Sequence, residues 1–191
     1  VISDETYDRL VYGHDHVCFA SIPGMRERTV LLGGFSKAHA MTGWRLGWAA
    51  GDPRLISALT RVKSYVDTGP WLAVQQAGAY ALDHAERLLA PNVEELRVRR
   101  DAGVQALRQA GFGLEPPLAT MYLWVPLPAG GESSAEFGLR ALEDAGVVVL
   151  PGSAFGPGGE GFFRIALTVG APRLTEAVLR LREVLARAPV A

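Results

Sequence analysis

One lysine stands out among the basic side chains of this sequence. Of its nineteen Lys and Arg residues, only Lys37 and Lys63 are lysines, and Lys37 lies in an apolar, Gly-rich segment, residues 29–47. Arginine stays protonated in proteins, whereas a desolvated lysine can lose its proton and become a nucleophilic amine. Such amines form Schiff bases with carbonyl compounds, so the segment predicts carbonyl chemistry at Lys37. A surface lysine after a turn is the competing interpretation.

Two arginines have equally unusual neighbours. Arg164 lies within the apolar run Phe162-Phe163-Arg164-Ile165-Ala166. A charge in such a strand is costly without an anionic partner, which favours a ligand-binding interpretation. Arg45 lies in Gly43-Trp44-Arg45-Leu46-Gly47, a setting that makes a simple surface ion pair a weak explanation.

The sequence predicts two groups of elements around these residues, with a boundary in a long helix near residue 90. Apolar β-branched runs and Gly/Pro punctuation predict strands in the first group, and Asp52-Pro53 predicts the cap and first residue of a helix that Thr68-Gly69-Pro70 ends. The other elements of the first group are strands at 1–3, 29–32 and 46–50 and a helix at 71–83. After the long helix at 88–110 come strands at 121–127, 147–150 and 162–167, and helices at 133–145 and 172–188.

The composition is that of an ordinary globular protein. Of 191 residues, 49% are hydrophobic and 20% charged, and the net charge of −1 favours neither nucleic acid nor an anionic membrane as a partner. Cys18 is the single cysteine and no signal peptide is recognisable, which together favour the cytoplasm. His14-Asp15-His16 has no accompanying ligand cluster, so no metal site is predicted.

Three segments together resemble one family, the class I/II aminotransferases of the aspartate-aminotransferase fold group, which use pyridoxal 5'-phosphate. The first runs from Gly34-Phe35-Ser36-Lys37-Ala38 through Ala40-Met41-Thr42-Gly43-Trp44-Arg45-Leu46-Gly47 and resembles the cofactor-lysine signature. The second is the Asp4-x-x-Tyr7 pattern at a predicted strand end, and the third is the closing signature that contains Pro151-Gly152-Ser153 and Arg164. The resemblance implies an α/β fold of type I, with residues 1–90 in the large mixed-sheet domain and residues 91–191 forming the small α+β domain.

The resemblance also implies a role for each residue near the cofactor. Lys37 would bind the cofactor covalently and later carry protons at the substrate's α-carbon. Asp4 would pair with the protonated pyridine nitrogen, and Tyr7 would hydrogen-bond the phenolic oxygen. Arg45 and Ser36 would hold the phosphate. A helix cap is the competing interpretation of Asp4, and a local turn bond that of Ser36.

The function implied by the resemblance is transfer of an amino group between an amino acid and a 2-oxo acid, by a homodimer. Arg164 would bind the substrate α-carboxylate with both of its outer nitrogens. The sequence opens at Val1 without Met and lacks the family's Gly-rich phosphate loop, its cofactor-stacking aromatic and its Asn-Pro motif. A C-terminal half of the family's usual length is therefore expected.

Two alternatives stay open from the sequence. A C–S lyase or a decarboxylase would keep the same fold and cofactor, because fold does not decide reaction type. A truncated remnant without activity, or the effector-sensing half of a regulator, would keep the residues but not the reaction.

Overall fold

The computed structural model describes residues 1–128 and 131–186. The chain divides into two compact units, one formed by Val1–Glu94 and one that begins at Glu95. None of the helices within the described ranges combines the length and the apolar character that crossing a bilayer requires.

The first unit is built on a three-stranded mixed sheet. Its strands are β1 (Ile2–Asp4), β2 (Val30–Gly34) and β3 (Gly47–Gly51), in that spatial order. β1 runs parallel to β2, with Asp4 opposite Leu32, and β2 runs antiparallel to β3, with Gly34 opposite Gly47. The carboxyl ends of β1 and β2 therefore lie at the same edge of the sheet, which is the edge where open α/β sheets bind ligands.

Three helices follow this sheet: α1 (Pro53–Val66), α2 (Leu72–Asp83) and α3 (Ala85–Gln109). The side chain of Asp52 accepts a hydrogen bond from Arg54 N at 2.8 Å, so the predicted cap and Pro53 start are confirmed. Gly78 is buried in α2, and a Cβ there would lie 2.3 Å from Leu46 Cδ2 and 3.2 Å from Phe35 Cζ. A glycine at this position thus lets α2 pack directly on the chain that flanks Lys37.

The second unit contains a three-stranded antiparallel sheet with helices on one side of it. Its elements are β4 (Tyr122–Pro126), α4 (Ser134–Ala145), β5 (Leu150–Pro151), β6 (Phe162–Ala166) and α5 (Ala171–Ala186). The spatial order is β4-β6-β5. The apolar core joins the inner faces of α4, α5 and the sheet through residues including Leu123, Phe137, Phe163, Val178 and Leu181. α4 begins with a capping box formed by Ser133 and Glu136 and ends at Gly146, which lies in the left-handed region.

Several predicted elements differ from the structure. Within 147–150, only Leu150 pairs as a strand, and that strand is Leu150–Pro151. Val149 is buried while Val148 is 77% exposed. This alternating burial explains why the segment resembles a strand in sequence, although most of it has no strand partner. The strand at 29–32, predicted to be buried, is half-buried as β2. The predicted final helix is present as α5, and its proposed end at 187–188 lies outside the described residues.

Candidate functional site

Lys37 lies just past the carboxyl end of β2, in a tight connection to β3. Phe35 N donates to Leu46 O at 3.2 Å, which brings the two ends of this connection together, and Ala40 N donates to Lys37 O at 3.0 Å, which closes a turn at the lysine. Phe35 and Ala38 on either side are buried. Lys37 itself is half-buried, and within the described parts of the chain its ammonium has no hydrogen-bond or ion-pair partner.

The turn at Lys37 is held from the helices as well. Asn92 of α3 donates from Nδ2 to Ala38 O at 3.1 Å. The packing of Phe35 and Leu46 against Gly78 of α2 fixes the same segment from a second side. Because the backbone around it is held by both helices, Lys37 is presented on a rigid support rather than on a free loop.

Arg45 stands in the same connection with an unusual backbone. Its φ of 52° and ψ of 48° lie in the left-handed region, which is rarely occupied by side-chain-bearing residues. Arg45 Nη1 donates to Thr42 O at 2.9 Å, and Thr42 Oγ1 donates to Ser36 O at 2.6 Å. These bonds join Ser36, Thr42 and Arg45 into one closed loop beside Lys37, and the Arg45 side chain is exposed.

Asp4 ends β1, next to the strand that leads to Lys37. Its Oδ1 accepts from Thr6 N at 3.2 Å and from Thr6 Oγ1 at 2.5 Å, so it caps the turn that follows; a turn, rather than the helix of the competing interpretation, begins here. The carboxylate is nevertheless exposed, which leaves it accessible to a ligand. Tyr7 is half-buried in the same turn, where its carbonyl accepts from Leu10 N at 2.9 Å.

The predicted cofactor residues of the first unit therefore share one edge of its sheet. Asp4 and Tyr7 follow β1, Ser36 and Lys37 follow β2, and Arg45 precedes β3 where β3 pairs with the end of β2. An amine, a carboxylate, a phenol and a guanidinium at one edge form a set that suits an anionic carbonyl compound with a basic ring nitrogen. Pyridoxal phosphate has these features, so the donor set fits that cofactor.

A buried carboxylate beside Asp4 was missed by the sequence reasoning. The side chain of Glu5 is only 10% exposed, and its Oε2 lies within hydrogen-bond distance of His16 Nε2, at 2.8 Å. It also accepts from Phe19 N at 2.8 Å and from Ser3 Oγ at 3.0 Å. Burial works to raise the pKa of Glu5, but these hydrogen bonds outweigh it and lower that pKa. Glu5 thus links the end of β1 to the segment after it. No sequence pattern around a loop Glu predicts such a role.

His39, two residues after Lys37, packs against the lysine turn at a cost. Its ring lies 5.1 Å from that of Phe35, and both ring nitrogens are buried without a hydrogen-bond partner among the described residues. Burial, with a smaller contribution from the charge of Arg9, lowers the pKa of His39, and Asp8 opposes this weakly. The ring nitrogens of His39 are therefore buried beside the lysine turn without a hydrogen bond to the described part of the chain.

Arg164 lies on β6, the central strand of the second unit, and is half-buried. Its guanidinium carbon lies 4.1 Å from the centre of the Tyr122 ring and 4.5 Å from that of Phe155. In β4 only Leu123 and Val125 are buried, while Trp124 is 39% exposed. The period-two alternation of this strand was the signal that could have shown its second face.

The Gly-rich segment 152–161 is a pair of 3-10 turns, Gly152–Phe155 and Pro157–Gly159, and carries no phosphate-loop pattern. Glu160 accepts from Ser134 N at 2.7 Å and from Gly161 N at 3.0 Å, and its other oxygen accepts from Ser134 Oγ at 2.9 Å. These bonds, led by the one from Ser134 N, lower the pKa of Glu160. The segment is thereby tied to the first turn of α4.

Comparison with known proteins identifies the family. The family model described as aminotransferase class I and II matches residues 1–181. An LL-diaminopimelate aminotransferase of Moorella thermoacetica is 43% identical over 188 residues, which are 98% of this chain and 48% of that protein. An LL-diaminopimelate aminotransferase of Nostoc is 40% identical over 183 residues, 94% of this chain and 46% of that protein. The chain thus spans about half the length of the curated relatives it matches.

Solved structures agree with the sequence relatives. An aromatic aminotransferase from Pyrococcus horikoshii superposes with a TM-score of 0.92 at 36% identity, over 97% of this chain and 51% of that one. A probable N-succinyldiaminopimelate aminotransferase from Thermus thermophilus gives a TM-score of 0.88 at 39% identity, over 96% of this chain and 49% of that one. The resemblance seen in the sequence and the expected type I α/β fold are confirmed. The chain belongs to the class I and II aminotransferases.

Proposed function

We propose that the protein is a pyridoxal-phosphate-dependent aminotransferase that moves an amino group between an amino acid and a 2-oxo acid. The observation that carries the proposal is the position of Lys37 beside the carboxyl end of a strand whose parallel neighbour ends in Asp4. Lys37 is firmly supported there, and its ammonium has no partner among residues 1–128 and 131–186. Family membership supports the same reaction. We also propose that residues 1–90 are part of the cofactor-binding domain and that residues 91–191 form the small domain.

Each proposed role follows from the chemistry of one group. The bound cofactor supplies an electron sink for the bond that breaks at the substrate's α-carbon. Lys37 Nζ is the covalent attachment point and then moves a proton at that carbon. The Asp4 carboxylate holds the proton on the ring nitrogen, and Tyr7 hydrogen-bonds the phenolic oxygen. Arg45, with Ser36 next to Lys37, binds the phosphate.

Arg164 is proposed to bind the substrate carboxylate. Its guanidinium is held by ring contacts, and within the described chain no acceptor is hydrogen-bonded to it. None of its nitrogens is among the buried unpaired atoms, so its donors remain available to an anion. A bidentate pair is the geometry that the guanidinium edge favours.

The attachment point is tested by trapping. After incubation with pyridoxal phosphate and reduction with borohydride, peptide mapping is expected to place the label on Lys37. Lys63→Ala is the matched control, because Lys63 is the other lysine of the chain and pairs with Asp67 on exposed α1. We expect Lys63→Ala to keep the visible band of the bound cofactor and Lys37→Ala to lose it. A band that survives Lys37→Ala would refute the assignment.

The reaction itself is tested by its products. The similar proteins named above are called LL-diaminopimelate, N-succinyldiaminopimelate and aromatic aminotransferases, so these three kinds of amino donor are assayed first with a 2-oxo acid acceptor. Formation of a new amino acid and a new 2-oxo acid in equal amounts is expected. Release of thiol, ammonia or carbon dioxide instead would indicate the lyase or decarboxylase alternative, and no product with cofactor bound would indicate a remnant.

We further propose a cytoplasmic homodimer. The support in the structure is α1, which has no buried residue and exposes the apolar side chains of Leu55, Leu59 and Val62. Exposed apolar surface of this extent commonly marks a protein interface. Sedimentation of the protein and of Leu59→Asp tests this: we expect a dimer that the substitution weakens, whereas a monomer in both would contradict it.

A further inference from the structure

The sheet of the second unit has one face in the core and one face outside it. On β4 and β6 the core face carries Leu123, Val125, Phe163 and Ile165. Because side chains alternate along a strand, the other face carries Tyr122, Trp124 and Pro126 of β4 and Phe162, Arg164 and Ala166 of β6. Arg164 is thus the one charged side chain on this face of the two strands, and three of the other five side chains are aromatic.

Aromatic rings from two different elements contact the Arg164 guanidinium. Tyr122 comes from β4, where it lies diagonally across from Arg164 in the register that pairs Trp124 with Arg164. Phe155 comes from the first 3-10 turn of the Gly-rich segment. The distances of 4.1 Å and 4.5 Å to the two ring centres are those of cation–π contacts. Such contacts use the flat faces of the guanidinium and leave its N–H groups, which lie in the plane, unused.

The Phe155 ring is itself supported. It packs edge-on against Trp124 with 5.6 Å between ring centres. The turn that carries Phe155 is tied to α4, since Ser153 N donates to Ser134 Oγ at 3.1 Å and Ser134 Oγ bonds to Glu160 at 2.9 Å. The ring therefore keeps its place through packing and through the backbone of its own turn.

We propose that Tyr122 and Phe155 are positioning residues that fix the guanidinium of Arg164 by stacking, so that a substrate carboxylate meets its N–H edge in a set plane. This inference rests on the proposed function, in which Arg164 binds that carboxylate. A free arginine side chain must lose rotational freedom when it captures an anion, whereas a stacked one has already lost it. The rings thus improve binding without contacting the carboxylate through any hydrogen bond of their own.

The first test is spectroscopic and is carried out on the chain itself. Ring currents are expected to shield the side-chain N–H protons of Arg164, assigned by their loss in Arg164→Lys, and stacking is expected to slow rotation about the Nε–Cζ bond. Tyr122→Leu and Phe155→Leu should each reduce the shielding and speed the rotation. Phe162→Leu is the matched control, because Phe162 is on the same face but its recorded ring contact is with Trp124. Tyr122→Phe keeps the ring and is expected to keep the shielding.

The second test is kinetic and uses the active enzyme. Tyr122→Leu and Phe155→Leu are each expected to raise KM for the amino donor by about threefold to tenfold, the loss that corresponds to one cation–π contact, with little change in kcat. Tyr122→Phe should restore KM. Circular dichroism confirms that each variant is folded.

The outcomes distinguish the role of Arg164 in binding the carboxylate from the role of the two rings in positioning Arg164. If Arg164→Lys leaves KM unchanged, the proposed function of Arg164 fails, whatever the spectra show. If Arg164→Lys raises KM while both leucine variants leave KM or the shielding of Arg164 as in the parent, the positioning role of the rings is overturned. Reduced shielding together with raised KM in both leucine variants, and neither in Phe162→Leu, supports it.

Discussion

Replacement of Gly152 by alanine is expected to damage the second unit severely, because two backbone segments touch at this glycine. A Cβ on Gly152 would lie 1.9 Å from Gly159 O and 2.7 Å from Phe162 O. Ordinary Cβ contacts begin near 3.4 Å, so the two segments would have to separate by about 1.5 Å. Both obstacles are backbone carbonyls, which have no rotamer with which to move aside.

This obstruction sets the expected loss of stability. Overpacking of a well-packed site costs about 1–3 kcal/mol and occasionally more, and backbone opposing backbone places Gly152→Ala at about 3 kcal/mol or above. With a urea m-value of roughly 2 kcal/mol per molar, the unfolding midpoint should fall by about 1.5 M. Gly159→Ala should behave alike, since its Cβ would lie 2.1 Å from Gly152 O.

Gly158→Ala is the matched control, one residue away from Gly159 in the same segment. A Cβ there would meet nothing within 4 Å, and its backbone is not in the left-handed region. We expect it to be neutral or to stabilise by about 0.4–1 kcal/mol, because alanine restricts the unfolded chain. Urea unfolding followed by circular dichroism measures all three variants. Equal midpoints for Gly152→Ala and Gly158→Ala would refute the close-packing argument.

Substitutions at three further positions probe the site and its supports. His39→Phe should stabilise the protein, and most at acidic pH. Because the pKa of His39 is lowered in the folded state, that state binds fewer protons than the unfolded state, and the wild type loses stability as pH falls through about 6.5. Urea unfolding midpoints of both proteins at pH 8 and pH 5.5 measure this. Arg45→Gly should exceed Arg45→Ala in stability by about 1 kcal/mol, because glycine adopts the left-handed backbone freely, while both should lose affinity for pyridoxal phosphate in a spectroscopic titration. Glu160→Gln should lower stability at neutral pH. Because folding lowers the pKa of Glu160, the wild type loses this advantage as pH falls below about 4.5. The melting temperatures of the two proteins should therefore converge at that pH.

Local sequence signals predicted those parts of the fold that local chemistry decides. Asp52-Pro53 predicted the start of α1, and the helix predicted at 133–145 matches α4 to within one residue, because caps act within a few residues. The strand at 147–150 was predicted from its apolar run, but strand pairing depends on a distant partner, and only Leu150 of that run has one. Apolar periodicity reports burial and does not report pairing.

The candidate site divides in the same way. Lys37, Arg45 and Arg164 were proposed as site residues because each is a charged residue in a sequence context that does not otherwise explain it. The contacts of Tyr122 and Phe155 with Arg164 were not predicted, because an aromatic residue is assigned to the core until the direction of its side chain is known. Long-range packing, rather than any short pattern, brings them to Arg164.

The parallel pairing of β1 with β2 separates what must stay fixed in this protein from what is free to vary. The ladder sets the spacing between the ends of these strands at about 4.8 Å, although residues 5–29 intervene along the chain. The outer turn of that connection, at Pro23 and Gly24, is exposed, with Gly24 at a φ of 77°. Residues can therefore be inserted at this exposed turn, in natural variants or by grafting a recognition loop, while Asp4 and Lys37 keep their separation.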